Sequence, residues 1–383
     1  MLVPLVDATI DRCGAKAATL ATLLRNDLPV PEGIVIPFDA QQAGDGRPDK
    51  LIDGLPDGLV GEISRWLASV GDPPVAVRSS AANEDTALAS AAGQHDSFLG
   101  VQGIDAIVDA VRACWASVWS PRATAYRNGS DAPAMAVIIQ RHLDADVSGV
   151  MFTNANGPTL IEASWGLGPS VVEGRVTPDR YQVTADGKVT RTIANKLTSL
   201  DRHGSALTVR QVPTAQRRTP TLSDATAVQL AALAQTVTTL LGSPQDIEWS
   251  LITHAPWLLQ SRPITTRPPA APALLAGDQH LVVGVAGSHG TATGPARVVR
   301  GPADFPTVRP GDILICPYTD PAWTPLLSIA AGVVTEIGGI LSHAAIVARE
   351  QGIPAVLAVP QATTQIPNGT TVTINGTVGT VHL

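Results

Sequence analysis

The amino-acid sequence predicts an α/β (α+β) fold in two unequal parts, and three observations carry that prediction. Short β-branched runs alternate with stretches whose apolar residues recur at helical spacing. A Pro- and Ala-rich stretch, T-T-R-P-P-A-A-P-A-L-L-A-G-D from Thr265 to Asp278, interrupts that alternation and suits an extended, semi-rigid connector. Beyond it, short strands bounded by Gly and Pro alternate with a helix after His343. The length of 383 residues fits two to three domains with enough chain to bury a core. At roughly 3.3 Å per residue, about 14 connector residues reach about 45 Å, enough for one part to swing between neighbouring positions.

Val75 to Val77 and Val137 to Gln140 read as strands from their β-branched runs. Ala106 to Trp119 reads as a helix, with Ile107, Val108, Val111, Cys114, Trp115 and Val118 at helical spacing. Ala225 to Leu241 reads as another, with Val228, Leu230, Leu233, Val237 and Leu241 as its apolar stripe. Asp246 to Leu251 and Trp257 to Gln260 read as a hairpin. In the second part, Val282 to Val285, Ala296 to Val299, Ile313 to Cys316, Gly332 to Thr335 and Thr371 to Ile374 are the expected strands. Gly44 to Gly58, polar and rich in Gly and Asp, reads as a surface loop.

The formal net charge is −7 and no Lys/Arg-rich run occurs, which disfavours nucleic-acid binding. Cys13, Cys114 and Cys316 form neither a metal spacing nor a disulfide framework, so a reducing, cytoplasmic location is expected. The opening M-L-V-P-L-V-D is too short an apolar run for a signal peptide, and no apolar stretch of membrane length follows.

The most informative stretch is T-E-I-G-G-I-L-S-H-A-A-I-V-A-R-E-Q-G-I-P-A-V, Thr335 to Val356. It sets His343 after a glycine pair and at a helix start, with Ser342 as the expected cap and Ala344 to Glu350 as helix. A helix N-terminus offers unpaired N–H groups and partial positive charge, which suits a group that must carry a phosphate. Gly338 and Gly339 let backbone approach an anion without a Cβ in the way. An imidazole nitrogen is a nucleophile at neutral pH when the other nitrogen fixes the tautomer. The physical reading is a transiently phosphorylated histidine; the alternative is a histidine that merely caps a buried helix.

The first part carries a scattered set of phosphate and cation ligands. In C-G-A-K-A-A-T-L, Lys16 follows a glycine at a helix start and can reach phosphate oxygens, or is a surface lysine. In V-A-V-R-S-S-A-A-N-E-D, a strand delivers Arg78 beside two serines as a phosphate clamp, or to an ion pair with Glu84 or Asp85. Gly93 stands in a small-residue loop that leaves room over a ligand. In D-I-E-W-S and L-L-Q-S-R-P-I, Glu248 and Gln260 on paired strands can supply oxygens to Mg²⁺, or simply pair with each other. Gln260 and Arg262 share one face of their strand, and Arg262 can reach a phosphate.

These segments, with Q-R-H-L-D-A-D-V-S-G-V-M-F-T (Gln140 to Thr153) and A-S-W-G-L-G (Ala163 to Gly168), resemble the PEP-utilising enzymes. That family includes pyruvate phosphate dikinase, PEP synthase and rifampicin phosphotransferase. The resemblance implies an ATP-grasp-type, two-lobed ATP-binding domain over 1–266, a linker over 267–279 and a small swivelling phosphohistidine domain over 280–383. It implies that Lys16 and Arg78 contact ATP phosphates and that Glu248 and Gln260 hold magnesium. Arg262 would assist at the transferring phosphoryl group, Gln140 would lie near the adenine, and Gly93 would lie over the phosphates. His343 would take the β-phosphate of ATP, leaving AMP and inorganic phosphate.

The sequence also departs from the family. Pro169 stands where a glutamate is usual after Gly168. Leu341 replaces the regulatory threonine of plant-type dikinases, so Leu341→Thr is expected to be nearly silent. Ser288-His289-Gly290 replaces Ser-Pro-Gly, and His289 is expected in a loop. No room for the PEP- or pyruvate-binding barrel of the dikinases is expected after Leu383, and no antibiotic-binding insert stands at the connector. Three functions stay open: a phosphotransferase acting on a small-molecule acceptor, a phosphocarrier serving a partner protein, and an ATP-dependent ligase. Gln41 to Pro56 and Asp201 to Thr219 are the segments expected to line an acceptor pocket.

Overall fold

The computed structural model describes residues 1–42, 55–56, 58–82, 96–120, 123–124, 132–154, 157–266, 268–269 and 281–383. Gly93, most of the connector, and the greater part of the expected loop from Gly44 to Gly58 lie outside the described residues.

The first part is built on a five-stranded and a six-stranded sheet. In the five-stranded sheet, Val75–Ala81 pairs with Met135–Arg141, which pairs in turn with Gly33–Ile36. Period-two alternation sends Val75, Val77, Val137 and Ile139 to one side. There they pack on the helices Leu59–Ser69 and Ile104–Ser117. The opposite side carries Arg78 and Gln140. In the six-stranded sheet, Gln245–Ile252 lies between Val147–Phe152 and Ala255–Pro263. Ile247, Trp249 and Leu251 turn to a core shared with the helices Ile10–Leu24 and Asp224–Leu241. Asp246, Glu248 and Ser250 therefore face the other way. On the helix Asp224–Leu241 the expected stripe is shifted: Ala227, Leu230, Ala234 and Val237 are buried, whereas Val228 is exposed.

The second part is an eight-stranded sheet. Its centre is a parallel ladder of Thr291–Val298, Ile313–Cys316, Gly332–Thr335 and Ala355–Leu357. Runs such as I-L-I-C are apolar on both faces because parallel strands are covered on both. The expected strand Val282 to Val285 is two strands, Leu281–Val283 and Val285–Ser288, parted at Gly284.

A third core joins the two parts. Val150, Phe152, Val171 and Val176 from the six-stranded side pack with Ile340, Leu341 and Ile346 from the histidine segment. Leu341 is fully buried there. A threonine at that position would bring a hydroxyl into this core, so packing argues against the expected silence of Leu341→Thr. Among the described residues, no helix is long and apolar enough to cross a membrane.

Candidate active site

Lys16, Arg78, Gln140, Glu248, Gln260, Arg262 and His343 line one cleft of about 470 Å³ between the two parts. These residues come from six separate elements of the chain, and sheet register explains how several of them meet. Glu248 is the direct cross-strand partner of Gln260, and Asp246 of Arg262. A bulge between Glu248 and Trp249 leaves Leu259 without a partner across the ladder. Its carbonyl accepts a hydrogen bond from Arg78 Nη1 at 2.5 Å.

Arg78 stands against both Gln260 and Glu248. Its Nη2 donates to Gln260 Oε1 at 2.6 Å and lies 3.4 Å from Glu248 Oε2. Glu84 and Asp85, the ion-pair partners the sequence left open, lie outside the described residues; among the described residues the carboxylate beside Arg78 is Glu248. Arg262 is held by Asp246, with Nε and Nη2 at 2.9 and 2.8 Å from Oδ2. Burial pushes the Asp246 carboxyl up, while Arg262 pulls it down. Asp246 stood in the quoted motif without a role; its i, i+2 spacing from Glu248 was the signal that placed both on one face.

Lys16 lies just after a break in its helix at Gly14, whose φ is +78°. A Cβ at Gly14 would stand 2.6 Å from Ser80 Oγ, so only glycine fits. Ser80 Oγ donates to the Cys13 carbonyl and accepts from the Ala17 N–H. This hydroxyl ties strand to helix, and of Arg78, Ser79 and Ser80 only Arg78 lines the cleft. Lys16 Nζ donates to the Ser79 carbonyl at 3.1 Å. Gln140 Nε2 donates to the Pro31 carbonyl at 2.8 Å. Pro169 sits at the first position of a short helix, where its missing N–H does no harm.

On the opposite wall, His343 is 4% exposed. Its Nδ1 is 3.1 Å from Thr319 Oγ1 and its Nε2 is 3.4 Å from Thr324 Oγ1. Thr319 and His343 lie beyond the carboxyl ends of parallel strands, the edge where α/β sheets present their sites. The helix runs His343–Glu350 as expected, with Ser342 at its N-cap position. The Ser342 hydroxyl does not cap it; Oγ donates back to the Gly339 carbonyl at 2.8 Å. Glu173, Arg175 and Asp320 complete the histidine end of the cleft. Arg175 pairs with Glu173 and stacks over the Tyr318 ring at 5.7 Å.

The anion beside the glycine pair is a protein carboxylate. Glu162 Oε1 accepts from the Ile340 N–H at 2.9 Å and Oε2 from the Leu341 N–H at 3.0 Å. Sequence reasoning passed over Glu162, although an acid inside the apolar strand T-L-I-E-A-S-W was a usable signal. His289 lies in an exposed turn, as expected. Among the described residues, neither Gln41 to Pro56 nor Asp201 to Thr219 lines the cleft. Gln41 Oε1 instead accepts from the Met135 N–H. A larger cavity, about 550 Å³, is lined by residues such as Phe152, Leu160, Ile264 and Val285 and gathers none of the predicted ligands.

Magnesium fits the nucleotide wall as a cation shared with phosphates. Glu248 and Gln260 offer hard oxygen donors side by side. Among the described residues, no group of three or more His, Cys, Asp or Glu could hold a metal unaided.

Residues 51–277 match the family description "Pyruvate phosphate dikinase, AMP/ATP-binding domain". Residues 308–379 match "PEP-utilising enzyme, mobile domain". A probable phosphoenolpyruvate synthase of Methanothermobacter thermautotrophicus is 38% identical over 91% of this chain and 58% of its own length. A phosphoenolpyruvate synthase of Pyrococcus furiosus is 38% identical over 76% of this chain and 39% of its own. The chain thus spans about half the length of the curated relatives it matches. A D-alanine-D-alanine ligase structure from Coxiella burnetii is 10% identical over 65% of this chain and 47% of its own, with a TM-score of 0.31.

Proposed function

Because the chain belongs to the PEP-utilising enzyme family, with an ATP-grasp-type nucleotide-binding fold, we propose that it moves the β-phosphate of ATP onto His343 and from there to an acceptor. The observation that carries this reading is the meeting of His343 with Lys16, Arg78, Glu248, Gln260 and Arg262 around one cleft.

In the proposed step, an imidazole nitrogen of His343 attacks the β-phosphorus. The bond from that phosphorus to the oxygen bridging it to the α-phosphorus breaks, and AMP leaves with that oxygen. Water then takes the γ-phosphoryl group as inorganic phosphate, and phosphohistidine remains. Arg78, Arg262 and Lys16 neutralise the charge that spreads over the phosphoryl oxygens. Arg78 must release Glu248 and Gln260 to do so, and the nucleotide's phosphates supply replacement partners. Magnesium, when bound by Glu248 and Gln260, adds charge neutralisation. Thr319 and Thr324 keep the imidazole plane turned to the cleft. Gln140 stands where an adenine edge would meet the Met135–Arg141 strand, and Gly93 belongs to the segment proposed to cover the phosphates.

The relatives named phosphoenolpyruvate synthase make pyruvate the acceptor to test first, with phosphoenolpyruvate as product. Purified protein is incubated with ATP labelled at the β- or the γ-phosphate. Stable β-label is expected on the wild type and none on His343→Ala, with ATP still bound. Label retained by His343→Ala would sink the assignment. Adding pyruvate should move the label into phosphoenolpyruvate; label that stays on the protein would remove pyruvate as this chain's acceptor.

A further inference from the structure

We propose that Glu162 is a positioning residue that docks the histidine segment onto the nucleotide-binding part and sets His343 for phosphorylation; the proposal rests on the reading of His343 as the phosphate carrier. Glu162 lies on the strand Thr159–Trp165 and is 1% exposed. Its neighbours Ile161 and Ala163 face the inner core, so Glu162 faces the second part of the protein. A carboxylate this deep is tolerated only with its oxygens hydrogen-bonded.

The partners come from the opposite side of the boundary. Each carboxylate oxygen accepts one backbone N–H, from Ile340 and from Leu341. Leu341 precedes His343 by two residues, so this two-point contact fixes the peptide that leads into the histidine. Arg180, directly across the ladder from Glu162, lies 3.5 Å from Oε1. Arg349 Nη1 holds the Ile340 carbonyl from the other side at 2.9 Å. The peptide is therefore gripped at its N–H by one part of the protein and at its carbonyl by the other.

Gly339 is what admits the carboxylate. A Cβ there would stand 2.5 Å from Glu162 Cδ and closer still to Oε2. The backbone of Gly339 is not left-handed, and the three atoms nearest such a Cβ all belong to Glu162. The contact also suits a part that must leave again. Water replaces both partners' hydrogen bonds on separation, so the net free energy is modest while the geometry is specific.

The test uses Glu162→Ala, Glu162→Gln, Gly339→Ala and the double variant Glu162→Ala/Gly339→Ala. Single-turnover transfer of β-label to the protein is measured beside nucleotide affinity. Glu162→Ala should slow labelling about 10- to 100-fold with nucleotide affinity unchanged, and Glu162→Gln should slow it less. Gly339→Ala should reproduce the defect, and the double variant should be no slower than Glu162→Ala, because the methyl then meets no carboxylate. Wild-type labelling in Glu162→Ala, or affinity falling in step with rate, or fully multiplying defects, would overturn the proposal. Hydrogen exchange at the Ile340 and Leu341 amides decides the docking role even if the wild type takes no label. Faster exchange at those amides alone in Glu162→Ala supports it; unchanged exchange overturns it, and separates that failure from failure of the phosphohistidine reading.

Discussion

Two buried cations in the nucleotide-binding part are held by different kinds of partner, and the proposed function gives them opposite uses. Lys196 is fully buried against Asp179, with Nζ 2.6 Å from Oδ1. Asp179 is saturated: Oδ1 also accepts from the Ala194 N–H, and Oδ2 accepts from the N–H and hydroxyl of Thr221. Arg78 is also buried, but its partners are the Leu259 carbonyl, Gln260 and a partly exposed Glu248 at the wall of the cleft. The Lys196–Asp179 pair is wholly enclosed and cannot exchange partners without unfolding, whereas a glutamate and a glutamine side chain at a cleft can trade an arginine for a phosphate-bound cation. Saturation marks a structural pair, and exchangeable partners mark a working one.

Variants at the two cations would sharpen or break that contrast. Arg78→Ala should slow phosphorylation of His343 by about 10³-fold, because an arginine that neutralises phosphoryl charge contributes on that scale. Its thermal midpoint should move little, since Glu248 retains access to solvent in the cleft. Unchanged labelling of Arg78→Ala would dissolve the contrast. Lys196→Ala should behave in the reverse way. It leaves Asp179 buried without its cation, a loss of about 3–5 kcal/mol in denaturant unfolding. Labelling per folded molecule should persist, and a labelling defect without loss of stability would assign Lys196 to the chemistry.

A third variant probes another residue of the cleft wall and has the smallest expected effect. His142 is buried beside the cleft, with Asp144 3.5 Å away. Burial lowers its pKa from 6.5, Asp144 opposes that shift and Arg202 adds to it. The unfolded chain therefore binds this proton more readily than the folded one. Stability should be fully present above pH 6.5 and fall as the pH drops through 6.5 towards the lowered folded value, by at most about 1.4 kcal/mol per pH unit. His142→Gln should flatten that part of the stability profile measured from pH 5 to 8. An unchanged slope would assign the acid sensitivity to another group.

The sequence determined which side chains could do chemistry and which local elements would carry them. The apolar spacing of Ile104–Ser117, the paired strands holding Glu248 and Gln260, and the helix beginning at His343 were all legible, because each depends on periodicity or on neighbours in the chain. Tertiary structure decided the partners. Ser80 bonds to Cys13 and Ala17 across 67 and 63 residues, and Glu162 to Ile340 and Leu341 across 178 and 179. No local pattern encodes such a pairing. A buried polar group takes whichever complementary group the packed sheets bring within about 3 Å, and that choice exists only after the chain has folded.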